Sequence, residues 1–343
     1  QENFEASVIL LEDILKNATG DEEALIDLKN NILKSRNDAK LNKRVILQRA
    51  MMNYARYGDN SSFTNILTED ELKNVTSTDL LDIINNFTTY EHRLSYYGPE
   101  DLESVAYSLS DLHIDKFNLK DLPSKKEFTE KDLDDPIVYV LDYDMKQAEI
   151  LMISKGEQLN KEKYSKIKFH NEYFGGGMSS IVFQEMRESK ALAYSVYSTY
   201  RIPTKINEHH YLLSYIGTQS DKLEEAMAGM SELLNVMPEA DANMKNAKEA
   251  IIKKIRTERI TKSRVLDEYE KLSRMGINYD IRKDLYENIS SFDMATLREF
   301  HNNHIANDTR VVMVIGSIKD LDLKALEEYG EIKILSLEEV FGY

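Results

Sequence analysis

The chain has 343 residues, which is enough for about two domains of ordinary size. Its composition, 42% hydrophobic and 30% charged, is typical of globular proteins, and no apolar run approaches the roughly 20 residues of a membrane span. The net charge of −16 argues against nucleic acid or an anionic membrane surface as partner, and the absence of cysteine excludes disulfides, thiolate zinc sites and cysteine nucleophiles. Composition alone does not distinguish a cytoplasmic from a periplasmic location.

Three elements are predicted in the first 120 residues. A long charged helix passes through Arg44, and a second helix runs from Val75 past Phe87. A strand is predicted at Arg93–Tyr97, and it ends at Gly98.

Residues 121–135 have no helical or alternating period and are predicted to form a linker. Residues 136–343 then predict one complete domain. Its elements are strands near 137–141 and 149–153, a helix over about 160–188, strands near 193–200 and 209–217, about three helices, and a last strand at 311–315. Long helices mixed with strands that can form hairpins predict an α+β fold, with a mainly antiparallel sheet and helices packed on one face.

The order of elements at the end of the chain repeats the order in the first 120 residues. Three pairs of positions carry the repeat, at offsets of 214 to 220 residues: the helix starts Val75 and Ile289, the glycines Gly98 and Gly316 after the strands, and the arginines Arg44 and Arg264. A unit of about 215 to 220 residues follows from the repeat. We therefore expect residues 1–120 to be the second half of an incomplete repeat domain, whose first half precedes Gln1.

The most informative segment begins at Asn171, where Gly175, Gly176 and Gly177 follow Tyr173 and Phe174. Glycine permits positive φ and a close approach of the backbone to a bound chain. A phosphate cradle is not indicated, because the lysine and serine that end a P-loop are absent. The alternative is purely structural: a glycine-rich entry that lets a helix pack close to its neighbours.

Two long hydrogen-bond donors follow the glycines. Arg187 lies at the end of the predicted helix, and Tyr194 begins the next strand. A guanidinium and a phenol can both donate to a peptide carbonyl or to the oxyanion of a tetrahedral intermediate. Spacing alone favours a simpler interpretation, in which Arg187 forms a surface ion pair and Tyr194 is half-buried.

The segments Asn171–Ser180, Phe183–Glu188 and Leu192–Val196 together are very similar to the signature of the C-terminal domains of the pitrilysin/insulinase-type zinc metallopeptidases. That family includes insulin-degrading enzyme, the mitochondrial processing peptidase and bacterial relatives. Each half of such an enzyme has two similar α+β domains, and the two halves enclose a peptide. The resemblance implies that residues 1–120 belong to the third domain and residues 136–343 form the fourth.

The resemblance also implies which residues meet the substrate. Arg187 and Tyr194 match an arginine and a tyrosine, seven residues apart, that face the peptide in this family. Their implied catalytic role is contact with the substrate carbonyl and the transition state. The segment made of Phe174, Gly175, Gly176 and Gly177 is expected to lie against the bound peptide.

A zinc site is not expected in this chain. The family's H-x-x-E-H motif is absent, and its nearest match, Lys205–His209, has lysine at the first ligand position. The resemblance implies that zinc in the complete enzyme is bound outside this chain, by the N-terminal half of the same protein or by a companion subunit. The chain alone is then inactive.

Two alternatives to an endopeptidase part stay open. The same fold serves in non-catalytic homologues, which act as structural or peptide-binding partner subunits. An unrelated peptide-binding module is the other alternative, and it predicts that residues 1–120 fold independently.

Overall fold

The computed structural model describes residues 3–113 and 118–343. The N-terminal segment is helical: α1 (Phe4–Asn17), α2 (Glu22–Lys40), α3 (Lys43–Val45), α4 (Met52–Tyr57), α5 (Glu69–Asn74), α6 (Ser77–Phe87) and α7 (Leu102–Leu112). A π-helical stretch, Ile46–Met51, joins α3 to α4. No helix in the described ranges is both long and apolar enough to cross a bilayer.

The rest of the chain combines six strands with nine helices in its described part. The strands are β1 (Ile137–Asp142), β2 (Gln147–Gln158), β3 (Ser195–Arg201), β4 (His209–Gln219), β5 (Val311–Gly316) and β6 (Glu331–Leu335). The helices are α8 (Tyr164–Phe174), α9 (Ile181–Phe183), α10 (Leu223–Asn235), α11 (Asp241–Thr257), α12 (Val265–Arg274), α13 (Arg282–Asn288), α14 (Met294–His304), α15 (Leu323–Glu327) and α16 (Leu337–Phe341). A second π-helical stretch, Gln184–Ser189, continues α9.

The six strands form one sheet in the order β3-β4-β2-β5-β1-β6. The pairs β3–β4, β4–β2 and β2–β5 are antiparallel, whereas β5–β1 and β1–β6 are parallel. The prediction of an α+β fold with a mainly antiparallel sheet is confirmed.

Both faces of the sheet are covered. On one face, Ile150 and Ile216 pack against α8, α10, α11 and α14, as the prediction of helices on one face requires. On the other face, Leu151 and Leu213 pack against the π-helical stretch of the N-terminal segment and against Phe341 of α16. Alternate residues of a strand point to opposite faces, so the uninterrupted apolar run in β2 is the sequence signal that both faces are buried.

Two of the predicted helices begin close to their expected positions. Thr76 and Asp79 form a reciprocal capping box at the start of α6, and Asp293 and Thr296 do the same at α14. Such a box satisfies backbone N–H groups that have no partner inside the helix.

Three details of the prediction were wrong. Residues 93–97 form no strand, because no described strand lies beside them to supply its hydrogen bonds. The helix predicted over about 160–188 is interrupted between Phe174 and Ile181, where the glycine segment turns the chain. Between β4 and β5 there are also five helices, α10 to α14, rather than about three.

Residues 121–135 contain no helix or strand. They are nevertheless attached to the N-terminal segment, since the N–H of Lys131 donates to the carbonyl of Arg56 over 2.7 Å and Leu133 is buried.

Candidate functional site

The segment that begins at Asn171 lies along the free edge of β3, the outermost strand of the sheet. The Asn171 amide donates to the Tyr200 carbonyl over 3.0 Å and accepts from the Tyr200 N–H over 2.8 Å. One side chain therefore takes the place of a neighbouring strand. Gly175 packs directly on Ser198, because a Cβ added to Gly175 would stand 2.1 Å from the Ser198 carbonyl oxygen. The segment thus closes an edge that would otherwise be open to pairing.

The predicted substrate-binding residues of this segment differ in accessibility. The Phe174 side chain is 1% exposed, and its ring lies 5.2 Å from that of His170. Contact between Phe174 and a bound peptide would require the core to open. Gly175 is also buried, against the backbone of β3. The accessible part of the segment is Gly176 to Met178.

Arg187 lies in the π-helical stretch that continues α9, with its side chain at the surface. The guanidinium carbon is 5.0 Å from the centre of the Phe183 ring, and Nε is 3.7 Å from a carboxylate oxygen of Glu188. An exposed ion pair of this length contributes little. The guanidinium is therefore available to an incoming ligand.

A hydrogen-bonded turn brings the backbones of Arg187 and Tyr194 together. The carbonyl of Met186 accepts from the N–H groups of Leu192 and Ala193, over 2.8 and 3.2 Å. Ala191 completes the turn with φ of 49°, a left-handed conformation that is uncommon outside glycine. The two residues predicted from the sequence thus lie at the two ends of this turn, next to the start of β3, and their side chains have different partners.

Tyr194 is 41% exposed, and its hydroxyl contacts the buried carboxylate of Glu149. Its hydroxyl donates to Oε1 of Glu149 over 3.3 Å. Lys43 contacts the same oxygen at 2.6 Å. Gly217 leaves room for the phenol ring, since a Cβ there would lie 2.6 Å from Cζ of Tyr194.

The charges around Tyr194 act on it in opposite directions. Burial raises the pKa of the Tyr194 hydroxyl, the Glu149 carboxylate raises that pKa further, and the Lys43 ammonium lowers it. The hydrogen bond to Glu149 raises the pKa of Lys43. The phenol is therefore protonated and the lysine charged at neutral pH, which leaves one phenolic proton to donate.

Sequence reasoning missed Lys43 and Glu149. Glu149 carries a weak signal, because it is a charged residue directly before the apolar run of β2. Lys43 carries none, since it is one of many lysines in a charged helical region.

The part of the chain that the structure describes does not fit a zinc ion. Among residues 3–113 and 118–343, no group of three histidine, cysteine, aspartate or glutamate residues could hold a metal. His209 lies 3.1 Å from Glu130, and the buried His170 and His301 hydrogen-bond to each other over 3.1 Å. His209 is therefore paired with a carboxylate, and His170 and His301 are paired with each other.

The model of the family described as Peptidase M16 inactive domain matches residues 74–252. This chain belongs to the M16 peptidase family. The resemblance noted in the sequence is confirmed, and the matched domain is of the inactive type, in agreement with the missing zinc motif.

Two kinds of relative support this assignment. The uncharacterized zinc protease YmxG of Bacillus subtilis is 28% identical over 189 residues, which cover 54% of this chain and 44% of that protein. The M16 inactive domain from Pseudomonas fluorescens has the same fold, with a TM-score of 0.67 at 13% identity over 92% of this chain and 75% of that one.

A chain of complex III from Candida albicans also shares the fold, with a TM-score of 0.63 at 14% identity over 96% of this chain and 81% of that chain. The chain spans less than half the length of its curated B. subtilis relative.

Proposed function

We propose that this chain is the C-terminal, substrate-binding part of a zinc metalloendopeptidase that encloses and hydrolyses unfolded peptides. The observation that carries the proposal is the hydrogen-bonded turn between Met186 and Ala193, which has Arg187 and Tyr194 at its two ends, both with exposed side chains, in a chain that belongs to the M16 family. Zinc would come from the N-terminal half of the same protein or from a companion subunit, where it would activate water as the nucleophile.

The two side chains suit a role in binding and polarising a peptide carbonyl. A guanidinium donates from several N–H groups, and a phenol donates one proton. Donors aimed at the oxygen that gains charge lower the barrier of the chemical step. Residues Gly176 to Met178 are the accessible backbone along which the peptide would lie.

We further propose that residues 1–120 are the second half of an incomplete domain. Of the 26 large apolar side chains that are exposed in the described part, 17 lie between residues 9 and 122. Helix α6 is the clearest case, since it is amphipathic and buries none of its residues, and Phe87 is 68% exposed. Apolar surface of this extent is typical of an interface. We propose that the zinc-bearing part packs against this surface.

The test is turnover of an unfolded peptide by the complete, zinc-loaded assembly. R187A and Y194F are each expected to lower kcat by about ten- to a thousandfold, an interval that includes the loss of about a hundred- to a thousandfold for one oxyanion donor. R259A and Y269F remove an exposed arginine and an exposed tyrosine that have no ion pair in the described part, and they are expected to leave kcat unchanged. Near-normal turnover in both R187A and Y194F would contradict the proposal.

A non-catalytic partner subunit is the second candidate. The shared fold with a chain of complex III from C. albicans favours it, because that fold is then not restricted to proteases. Binding of unfolded peptide without any cleavage, in an assembly shown to contain zinc, would support this second candidate instead.

A further inference from the structure

The hydroxyl of Tyr194 has a single proton, and in this structure the proton is donated to Glu149. A proton held by Glu149 is not available to a substrate oxygen. The role proposed for Tyr194 therefore requires that the proton be released. The O–H turns easily about its C–O bond, so the cost of release depends on what Glu149 loses when the phenol turns away.

Glu149 is 4% exposed, and a buried carboxylate without partners costs several kcal/mol. Lys43 removes most of this cost, because its ammonium lies 2.6 Å from the same oxygen that accepts from Tyr194. A charge-assisted hydrogen bond is about twice as strong as a neutral one. While the phenol of Tyr194 donates elsewhere, Glu149 keeps Lys43 as its charged partner and the Tyr215 hydroxyl as a neutral hydrogen-bond partner.

Lys43 is held in place by the N-terminal segment. It begins α3, and the side chain of Asn42 caps this helix by accepting from the N–H groups of Arg44 and Val45. The π-helical stretch that follows is anchored in the core on the sheet, through Ile46 and Leu47. Lys43 is thus fixed by residues that precede the linker, whereas Tyr194 and Glu149 belong to the sheet domain after it.

We propose that Lys43 is a positioning residue that frees the Tyr194 hydroxyl for a substrate oxygen by holding the charge of Glu149. This inference rests on the proposed function. It makes the substrate-facing tyrosine depend on both segments of the chain, with the lysine supplied by one and the carboxylate by the other.

The first experiment measures kcat and KM of K43M in the complete, zinc-loaded assembly with an unfolded peptide. Without Lys43, Glu149 keeps the phenolic proton, so kcat is expected to fall about ten- to a hundredfold while KM changes less than about threefold. K43R retains the charge and should recover most of the loss. K34M is the matched control, because Lys34 is exposed and has no ion pair in the described part of the chain.

Two double variants separate this role from a purely structural one. In the Y194F background, K43M should lower kcat no further, because the phenolic proton on which Lys43 acts is absent. In the E149Q background, K43M should change kcat less than about threefold, because the amide has no charge to hold. If K43M alone fails to fold, the comparison of E149Q with K43M/E149Q still tests the role of Lys43, because the double variant buries no unpaired charge.

A tenfold loss on adding K43M to Y194F, or to E149Q, would overturn the proposal. Normal turnover of K43M in the wild-type background would do the same. If R187A and Y194F both turn over normally, the proposed function fails. If Y194F is slow and K43M is not, only the role of Lys43 fails.

Discussion

Gly175 lies against Ser198 so closely that the strand backbone leaves no room for a side chain. A Cβ at position 175 would meet the carbonyl oxygen of Ser198 at 2.1 Å and its nitrogen at 2.5 Å. The glycine run is therefore required in part by packing, and its first member positions α8 against the edge of the sheet.

The variant G175A is expected to lose at least about 2 kcal/mol of unfolding free energy, because strand backbone cannot yield as a flexible side chain does. G177A is the matched control, since a Cβ there has only Glu172 Oε1 near it, at 3.7 Å. Its loss should stay below about 1 kcal/mol. Urea unfolding of both variants measures the difference, and equal losses would contradict this account of the segment.

The second prediction concerns Asn171, which caps the edge of β3. Replacing it by alanine leaves the N–H and the carbonyl of Tyr200 without their side-chain partner, which should cost about 1–3 kcal/mol. The exposed edge of β3 should also promote association at high concentration. N302A is the control, because Asn302 is exposed on α14. Unfolding free energy and light scattering report the two effects, and a stable, monodisperse N171A would show that the edge needs no cover.

The third prediction concerns pH. Burial lowers the pKa of His301 to about 4 and that of His170 well below 6.5. Below pH 6.5 the unfolded chain takes up protons that the folded chain does not, so stability is lost as the pH falls from 6.5 towards 4. Each histidine contributes up to about 1.4 kcal/mol per pH unit.

Unfolding free energies between pH 6.5 and 5 test this prediction before most carboxylates titrate. H170F should reduce the slope of unfolding free energy against pH by the contribution of one buried histidine. H92Q, at an exposed position, should leave this slope unchanged. A flat pH profile in the unmodified chain would show that His170 and His301 titrate normally.

The fourth prediction concerns the exposed apolar face of α6. An aspartate at Ile83 or Phe87 should change the stability of this chain by less than about 0.5 kcal/mol, because both side chains are exposed in it. The same changes should weaken association with the zinc-bearing part by at least about tenfold, since a charge would then be buried at the interface. V236D, at an exposed valine after α10, is the control. Unchanged association would argue against α6 as part of that interface.

Much of the fold could be predicted because its signals are local. The capping residues of α6 and α14 and the apolar run of β2 are visible within a few positions of sequence. The break after Phe174 was missed because its cause, the backbone of Ser198, lies in another element. The strand at residues 93–97 was predicted from composition, but strand formation also requires a neighbour, which no local pattern reveals.

The candidate site was predictable only in part. Arg187 and Tyr194 were proposed by resemblance, whereas spacing alone favoured a surface ion pair for Arg187 and a half-buried position for Tyr194. Lys43 and Glu149 were not found, because their contact joins two segments of the chain that are far apart in sequence. A buried carboxylate finds its partner through the tertiary fold, and no periodicity encodes that pairing.

The most direct test of the central claim is the turnover of R187A/Y194F in the complete, zinc-loaded assembly. We predict that kcat for an unfolded peptide falls at least about a hundredfold, because both donors to the developing oxyanion are removed. Zinc content and unfolding free energy should stay within error of the unmodified protein. Unchanged turnover with intact zinc and fold would contradict the claim that this end of β3 faces the substrate.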